Sequence, residues 1–189
     1  MLRLPSLQRL CLALAIALAA ITSAQAAPDA ARALAMTQFQ RATDGDSAAI
    51  EGAAAAWRQL SAARPADPVL RAYAGASTAL LATTTLLPWR KLSHAEDGLA
   101  LLDKALAQLT SADESAAPGA VPAALEVRFT AASTFLALPS FFNRGVRGGK
   151  LLDEVVRSVH LDSTPLSFRA AVWLRAGLEA AKAQRSDEA

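Results

Sequence analysis

Tyr73-Ala74-Gly75-Ala76-Ser77-Thr78-Ala79-Leu80 (YAGASTAL) returns as Phe129-Thr130-Ala131-Ala132-Ser133-Thr134-Phe135-Leu136 (FTAASTFL), 56 residues further on. Leu87-Pro88-Trp89-Arg90 is then echoed by Leu138-Pro139-Ser140-Phe141, with Arg144 following, at an offset of 51. Gly98-Leu99-Ala100-Leu101-Leu102-Asp103 is matched by Gly148-Gly149-Lys150-Leu151-Leu152-Asp153 at an offset of 50. Three matched blocks in one order read as an internal duplication, the signature of a repeat architecture. Each unit is a helix A, a Leu-Pro turn with aromatic and basic residues, and a helix B. The proline marks the end of helix A, because the residue before it is pushed out of the α region.

Working outward, apolar residues beyond residue 28 recur at spacings of three and four, and no stretch alternates with period two. That pattern predicts an all-α chain. Helix starts are signalled at Asp46 and at Asp67-Pro68, Val121-Pro122 and Thr164-Pro165, since proline at the first helical position forfeits no hydrogen bond. Asp67 and Thr164 are of the type that caps, and Ser93-His94-Ala95-Glu96 fits a capping box. Residues 29–43 and 47–63 form a first helix pair. Phe168-Arg169-Ala170-Ala171 aligns with Phe129-Thr130-Ala131-Ala132, which makes 165–184 a last A helix and gives about seven helices. The expected organisation is one domain over 27–189, with units near 29–65, 66–111 and 120–161 and a capping helix over 163–185. The small, polar stretch Thr110–Val121 is expected to be the loosest linker and a site of proteolysis.

Residues 1–26 read as a secretory signal that is cleaved near Ala26. Arg3 and Arg9 precede the apolar run Leu10–Ile21, and Ala24 and Ala26 supply small residues at the cleavage site. The run spans roughly 18 Å as a helix, short of the roughly 30 Å hydrocarbon core. The expected location is therefore a bacterial periplasm or the medium, with no stable membrane insertion after cleavage. Cys11 is the only cysteine and falls within the signal, so the mature chain has neither a disulfide nor a thiolate ligand. Of 19 Lys and Arg residues, loss of Arg3 and Arg9 leaves 17, balancing 17 Asp and Glu. A neutral chain is a poor nucleic-acid binder. At 53% hydrophobic and 19% charged residues it is too apolar to be disordered.

The B helices resemble the second helix of a tetratricopeptide repeat, in which a small residue is followed by a large apolar one four positions on. Ala53, Trp57, Leu60 and Pro65 follow that pattern, as in part do Gly98, Leu102, Ala105 and Thr110, and Gly148, Leu152, Val155 and His160. Gly75 sits where the family's glycine would. The A helices lack the family's flanking tryptophan, leucine and tyrosine, and the unit is nearer 50 residues than about 34. The Leu-Pro-aromatic turn and the Gly-x-x-Leu-Leu-Asp start of helix B are similar to those of secreted bacterial proteins of this type. The resemblance implies a right-handed stack of antiparallel helix pairs, an α-solenoid whose A helices line a concave face that binds a protein or peptide. It implies no catalytic residue.

Candidate binding residues fall in two groups. In the turns, Trp89, Phe141 and Phe142 stand beside Arg90 and Arg144, an aromatic and basic edge suited to an acidic peptide. The same aromatics could instead plug the gap between repeats, with Arg90 and Arg144 paired to the equivalent helix-B carboxylates Asp103 and Asp153. On the A helices, Ser77, Thr78, Ser133 and Thr134 could bond a peptide backbone or, alternatively, their own helix. Arg71, Arg128 and Arg169 are the expected groove charges, and Tyr73, Phe129 and Phe168 the expected core. The segment Asn143–Lys150 lacks the phosphate-loop pattern. His94 and His160 are too few and too far apart in sequence for a metal site. No nucleophile–base motif is present. The sequence thus points to an adaptor or assembly factor without cofactor, metal or catalysis. The alternatives are a small-molecule carrier with an apolar pocket, motivated by Ala79–Leu87 (ALLATTTLL), and, least favoured, an enzyme or enzyme subunit.

Overall fold

A computed structural model describes residues 29–187. The expected signal segment, with Cys11 and the cleavage site near Ala26, lies outside the described residues. Among these there are seven helices and no strand: α1 (29–43), α2 (Ser47–Ala63), α3 (Pro68–Leu80), α4 (Pro88–Gln108), α5 (Ala123–Ala137), α6 (Gly145–Val156) and α7 (Leu166–Asp187). The chain is all-α. None of these helices is long and apolar enough to cross a membrane.

Local chemistry sets most helix ends. Gly45 adopts φ 101, a left-handed turn closed to most side chains, and lets the chain reverse after α1. Asp46 then caps α2 by accepting from the Ala48 N–H at 3.1 Å, while the Arg41 Nε donates to the other carboxylate oxygen at 3.0 Å. That guanidinium holds the Asp46 carboxyl below its usual range. Asp67 accepts from the N–H groups of Val69 and Leu70 at 3.0 and 3.1 Å, with Pro68 in the first turn of α3.

Three starts differ from the sequence reading. Helix α4 begins at Pro88, not at the Ser93 capping box: nothing in Trp89–Leu92 breaks a helix, and Pro88 itself occupies the first turn. Ser93 is thus interior, its hydroxyl 3.4 Å from Asp97. Pro122 takes the cap position of α5 rather than the first helical one. Thr164 is buried and donates to the Leu161 carbonyl at 2.7 Å, so it does not cap α7. The linker after α4 is tied down at its start. Thr110 and Asp113 form a capping box on a short 3-10 turn, and Glu114 accepts two bonds from Arg128 at 2.9 and 2.6 Å.

Among helices α2 to α7, packing is densest within the hairpins α3–α4 and α5–α6, and α3 also lies against α2 and α5. The α3–α4 contact is backbone on backbone. A Cβ on Gly98 would stand 2.6 Å from the Gly75 carbonyl oxygen and 2.7 Å from the Ala79 nitrogen. In the second hairpin, Gly148 makes the equivalent approach to Phe135 and Ala132. One core cluster joins α1, α2 and α3 around Ala35, Ala53, Trp57 and Leu70. Trp57 is fully buried and its ring stacks on Tyr73 at 4.5 Å between centroids. The largest cluster runs between the two hairpins through Val69, Leu102, Val127, Phe135 and Leu152. Fully burying one such side chain stabilises the fold by about 1.5–3 kcal/mol. A third cluster, Leu125, Val155, Leu161 and Val172, seats α7 on α5 and α6.

Candidate functional site

The odd-numbered helices, which are the A helices of the sequence reading, line a groove of about 470 Å³. Helix α1 contributes Phe39 and Thr43, and α3 contributes Tyr73, Ala76, Ala79 and Leu80. Helix α5 contributes Phe129, Thr130, Ser133, Thr134 and Ala137, and α7 contributes Arg175. The aromatic wall is held from behind: Phe39 meets Tyr73 edge-on at 5.2 Å, and Phe129 meets Phe168 edge-on at 5.4 Å. Tyr73 and Phe129, expected in the core, pack against it and also present surface to the groove.

The groove is less polar than its composition suggests. Thr43 donates to the Gln40 carbonyl, Thr83 to Leu80 and Thr134 to Thr130, at 2.7–2.9 Å. Those hydroxyls are already satisfied by the preceding turn of their own chain segment. Ser133 makes no hydrogen bond to the described residues, and Arg175 is the only charged side chain among those lining the groove. The Arg175 side chain is 19% exposed, and its Nη2 lies 3.2 Å from Glu179. That approach is poorly aligned, so neither Nε nor Nη2 has a hydrogen bond although both atoms are buried. Below the groove, Tyr73 donates to Glu126 at 2.9 Å and Arg32 stands 3.5 Å from the other oxygen. Burial raises the Glu126 carboxyl above its ordinary range, against the opposing pull of Arg32 and of the Tyr73 bond. Burial and the neighbouring Glu126 charge push the Tyr73 phenol up as well.

Of the residues singled out in the sequence, Ser133 and Thr134 line this groove. Their counterparts do not. Ser77 is fully buried without a hydrogen-bond partner, and Thr78 is buried and donates to Ala74 at 2.7 Å. The three expected groove arginines stand elsewhere. Arg71 donates to the Pro65 carbonyl at 2.6 Å. Arg128 is committed to Glu114 and, at 3.3 Å, to Glu154; the bonds from Arg128 hold the Glu114 carboxyl below its usual range. Arg169 is half-buried, its Nε without a partner, and is not among the lining residues.

The turn residues separate as well. Arg144 pairs with Asp103 of the preceding hairpin at 3.0 Å, as does Arg147, and both guanidinium groups lie over the Phe135 ring at 5.4–5.5 Å. Phe142 packs on the core. Trp89 and Phe141 stay exposed, at 66% and 67%, and Arg90 is exposed too. The sequence reading missed Arg175. Nothing distinguishes it locally from other helical arginines, because α7 has no duplicate of its own B helix to align with.

The lining thus offers apolar walls, one unclaimed hydroxyl and one guanidinium, a set suited to holding a ligand. No protein-family model matches the chain, and no curated protein and no solved structure is significantly similar to it.

Proposed function

We propose that the protein is an exported, non-catalytic binding protein whose site is the groove between α1, α3, α5 and α7. The observation that carries the reading is the groove itself. At about 470 Å³, with aromatic walls and few polar groups, it has the size and chemistry of a small-molecule site. This favours the carrier over the peptide adaptor, because the hydroxyls of Thr43, Thr83 and Thr134 are already donated to carbonyls of their own chain segments and are not free for a peptide backbone. The export reading rests on the N-terminal sequence. The tetratricopeptide-like reading draws support from the packing order, in which each hairpin closes on itself and α3 touches α5.

The adaptor reading keeps its support in the turns, where Trp89, adjacent to Arg90, and Phe141 are exposed. One experiment separates the two. Native mass spectrometry of the protein purified from its own host is expected to show a small-molecule adduct. Ala137→Trp, a plug placed at an exposed lining position, should remove it while leaving the circular dichroism unchanged. An adduct that persists in that variant overturns the groove. A copurifying polypeptide that survives Ala137→Trp and is lost on Trp89→Ala moves the function to the turn edge.

A further inference from the structure

We infer that the outer face of α7 is an interface at which two copies of this chain pair about a two-fold axis. At about 3.6 residues per turn, Leu166, Ala170, Trp173, Leu174, Gly177 and Leu178 fall on one half of the helix. All six are exposed, and Trp173 and the three leucines are exposed by half or more. The charged residues of this stretch, Arg169, Arg175 and Glu179, are turned partly inward. The other half of the helix carries Phe168 and Val172, which seat α7 on its neighbours. The duplication shows what is unusual here. By the alignment of Phe168 with Phe129, Leu166, Ala170 and Leu174 take the places of Val127, Ala131 and Phe135. In α5 those three are buried in the largest core cluster. Their counterparts in α7 are exposed among the described residues. A stack of repeats ordinarily closes on a polar outer face; this outer face is apolar.

Area, charge and shape point to a second copy as the occupant. At roughly 150–250 Å² for each large side chain, Trp173 and the three leucines leave on the order of 400 Å² of apolar surface uncovered on each chain, the size at which a patch marks an interaction site. Pairing two such faces removes about 800 Å² through those side chains alone, and the residues around them bring the total to the roughly 1,000 Å² that a specific interface needs. A charged partner would be desolvated here with nothing to meet its charge, whereas a second α7 presents an uncharged face. The shape is self-complementary. A Cβ on Gly177 would meet nothing within 4 Å, which leaves a notch one turn from Trp173 for a large side chain of the other copy. The same patch on both chains makes an isologous contact that closes at two copies.

Sedimentation velocity of the protein purified from its own host tests this over about 1–100 μM, a range suited to an interface at the low end of the specific sizes. The mass is expected to rise from one chain to two and to stop there. Leu174→Glu brings a carboxylate to each side of the axis and should weaken pairing about tenfold or more. Leu174 is exposed and does not line the groove, so the circular dichroism of the variant should match the wild type. Val146→Glu, at an exposed site on α6, should leave pairing unchanged. A monomer throughout the range, a dimer that survives Leu174→Glu, or growth beyond two copies overturns the inference. A monomer that binds phosphatidylglycerol vesicles, and loses them on Leu174→Glu, overturns it too and gives the face to a lipid surface. None of these outcomes bears on the groove.

Discussion

The two hairpins α3–α4 and α5–α6 carry the same repeat pattern and solve the same packing problem differently. In the first, the contact is made of small residues. Gly75, Ala79 and Gly98 bring the two backbones together, with the Ala79 Cβ and the Leu102 side chain fitted against the glycines. In the second, the position equivalent to Ala79 is Phe135, fully buried, and Gly148 makes room for its Cβ and for Leu136. The phenyl ring extends from there toward α4, beneath Arg144 and Arg147, which in turn hold Asp103. A duplicated glycine thus serves a backbone approach in one copy and an aromatic anchor in the other. The equivalent carboxylates diverge for a reason of position. Asp103 receives arginines from the next hairpin's turn, whereas Asp153 precedes no further Leu-Pro turn and reaches only Arg157, on its own chain segment, at 3.7 Å.

The strongest way to break this comparison is to remove the anchor. Phe135→Ala should destabilise the protein by roughly 3–5 kcal/mol in urea unfolding, the usual range for deleting a buried phenyl ring. A loss below about 1 kcal/mol would mean that the second hairpin, like the first, is held by backbone contact alone.

The glycines should answer in unequal measure. Gly98→Ala forces a methyl against backbone atoms at 2.6 and 2.7 Å, which cannot move without parting the helices. It should lose roughly 1–3 kcal/mol. Gly148→Ala meets the Leu136 Cγ at 2.8 Å, the Phe135 Cβ at 3.1 Å and the Ala132 carbonyl oxygen at 3.3 Å, a looser fit in which the nearest group is a side chain and not backbone. The gain in helix propensity, about 0.5–1 kcal/mol, should offset part of that crowding and leave this variant less destabilised than Gly98→Ala. Equal losses in the two variants would erase the distinction drawn between the hairpins.

Sequence made some of this legible and hid the rest, for physical reasons. The junction of the first pair was readable because Asp46 is of the capping type just before Ser47, and the expected end at 43 and the span 47–63 match α1 and α2. The start of α4 was not. Ser93 through Glu96 carry capping residue types, but a cap forms only where a helix is interrupted, and Pro88 had already begun this one. The duplication showed which positions approach closely, yet not that Phe135 would replace backbone contact with a ring. The groove was half legible. Ser133 and Thr134 fall on it because helix A faces its neighbours there, but burial of Ser77 and Thr78 depends on how far α2 and α4 cover α3. Arg71 and Arg128 read as free charges because their partners, the Pro65 carbonyl and Glu114, become neighbours only when the linkers fold.

The smallest effect tests a third difference between the hairpins. Leu70 in α3 is equivalent to Glu126 in α5; the leucine is fully buried among apolar groups, while the carboxyl is held by Tyr73 and Arg32. Because burial raises the Glu126 pKa in the folded state, the native protein binds that proton more tightly than the unfolded chain does. Stability must then fall as pH rises from the ordinary glutamate range through the raised value, and stay lower above it. Glu126→Gln keeps an acceptor for the Tyr73 hydroxyl and removes the titration. The variant's stability minus the wild type's should therefore increase with pH across that window, measured by urea unfolding at a series of pH values. Asp46 and Glu114, whose lowered pKa values make stability fall on the acid side, are common to both proteins and cancel in the difference. A difference that stays constant with pH would mean that Arg32 and Tyr73 fully offset the burial of the charge. The carboxyl would then be as settled in its place as Leu70 is in the equivalent one.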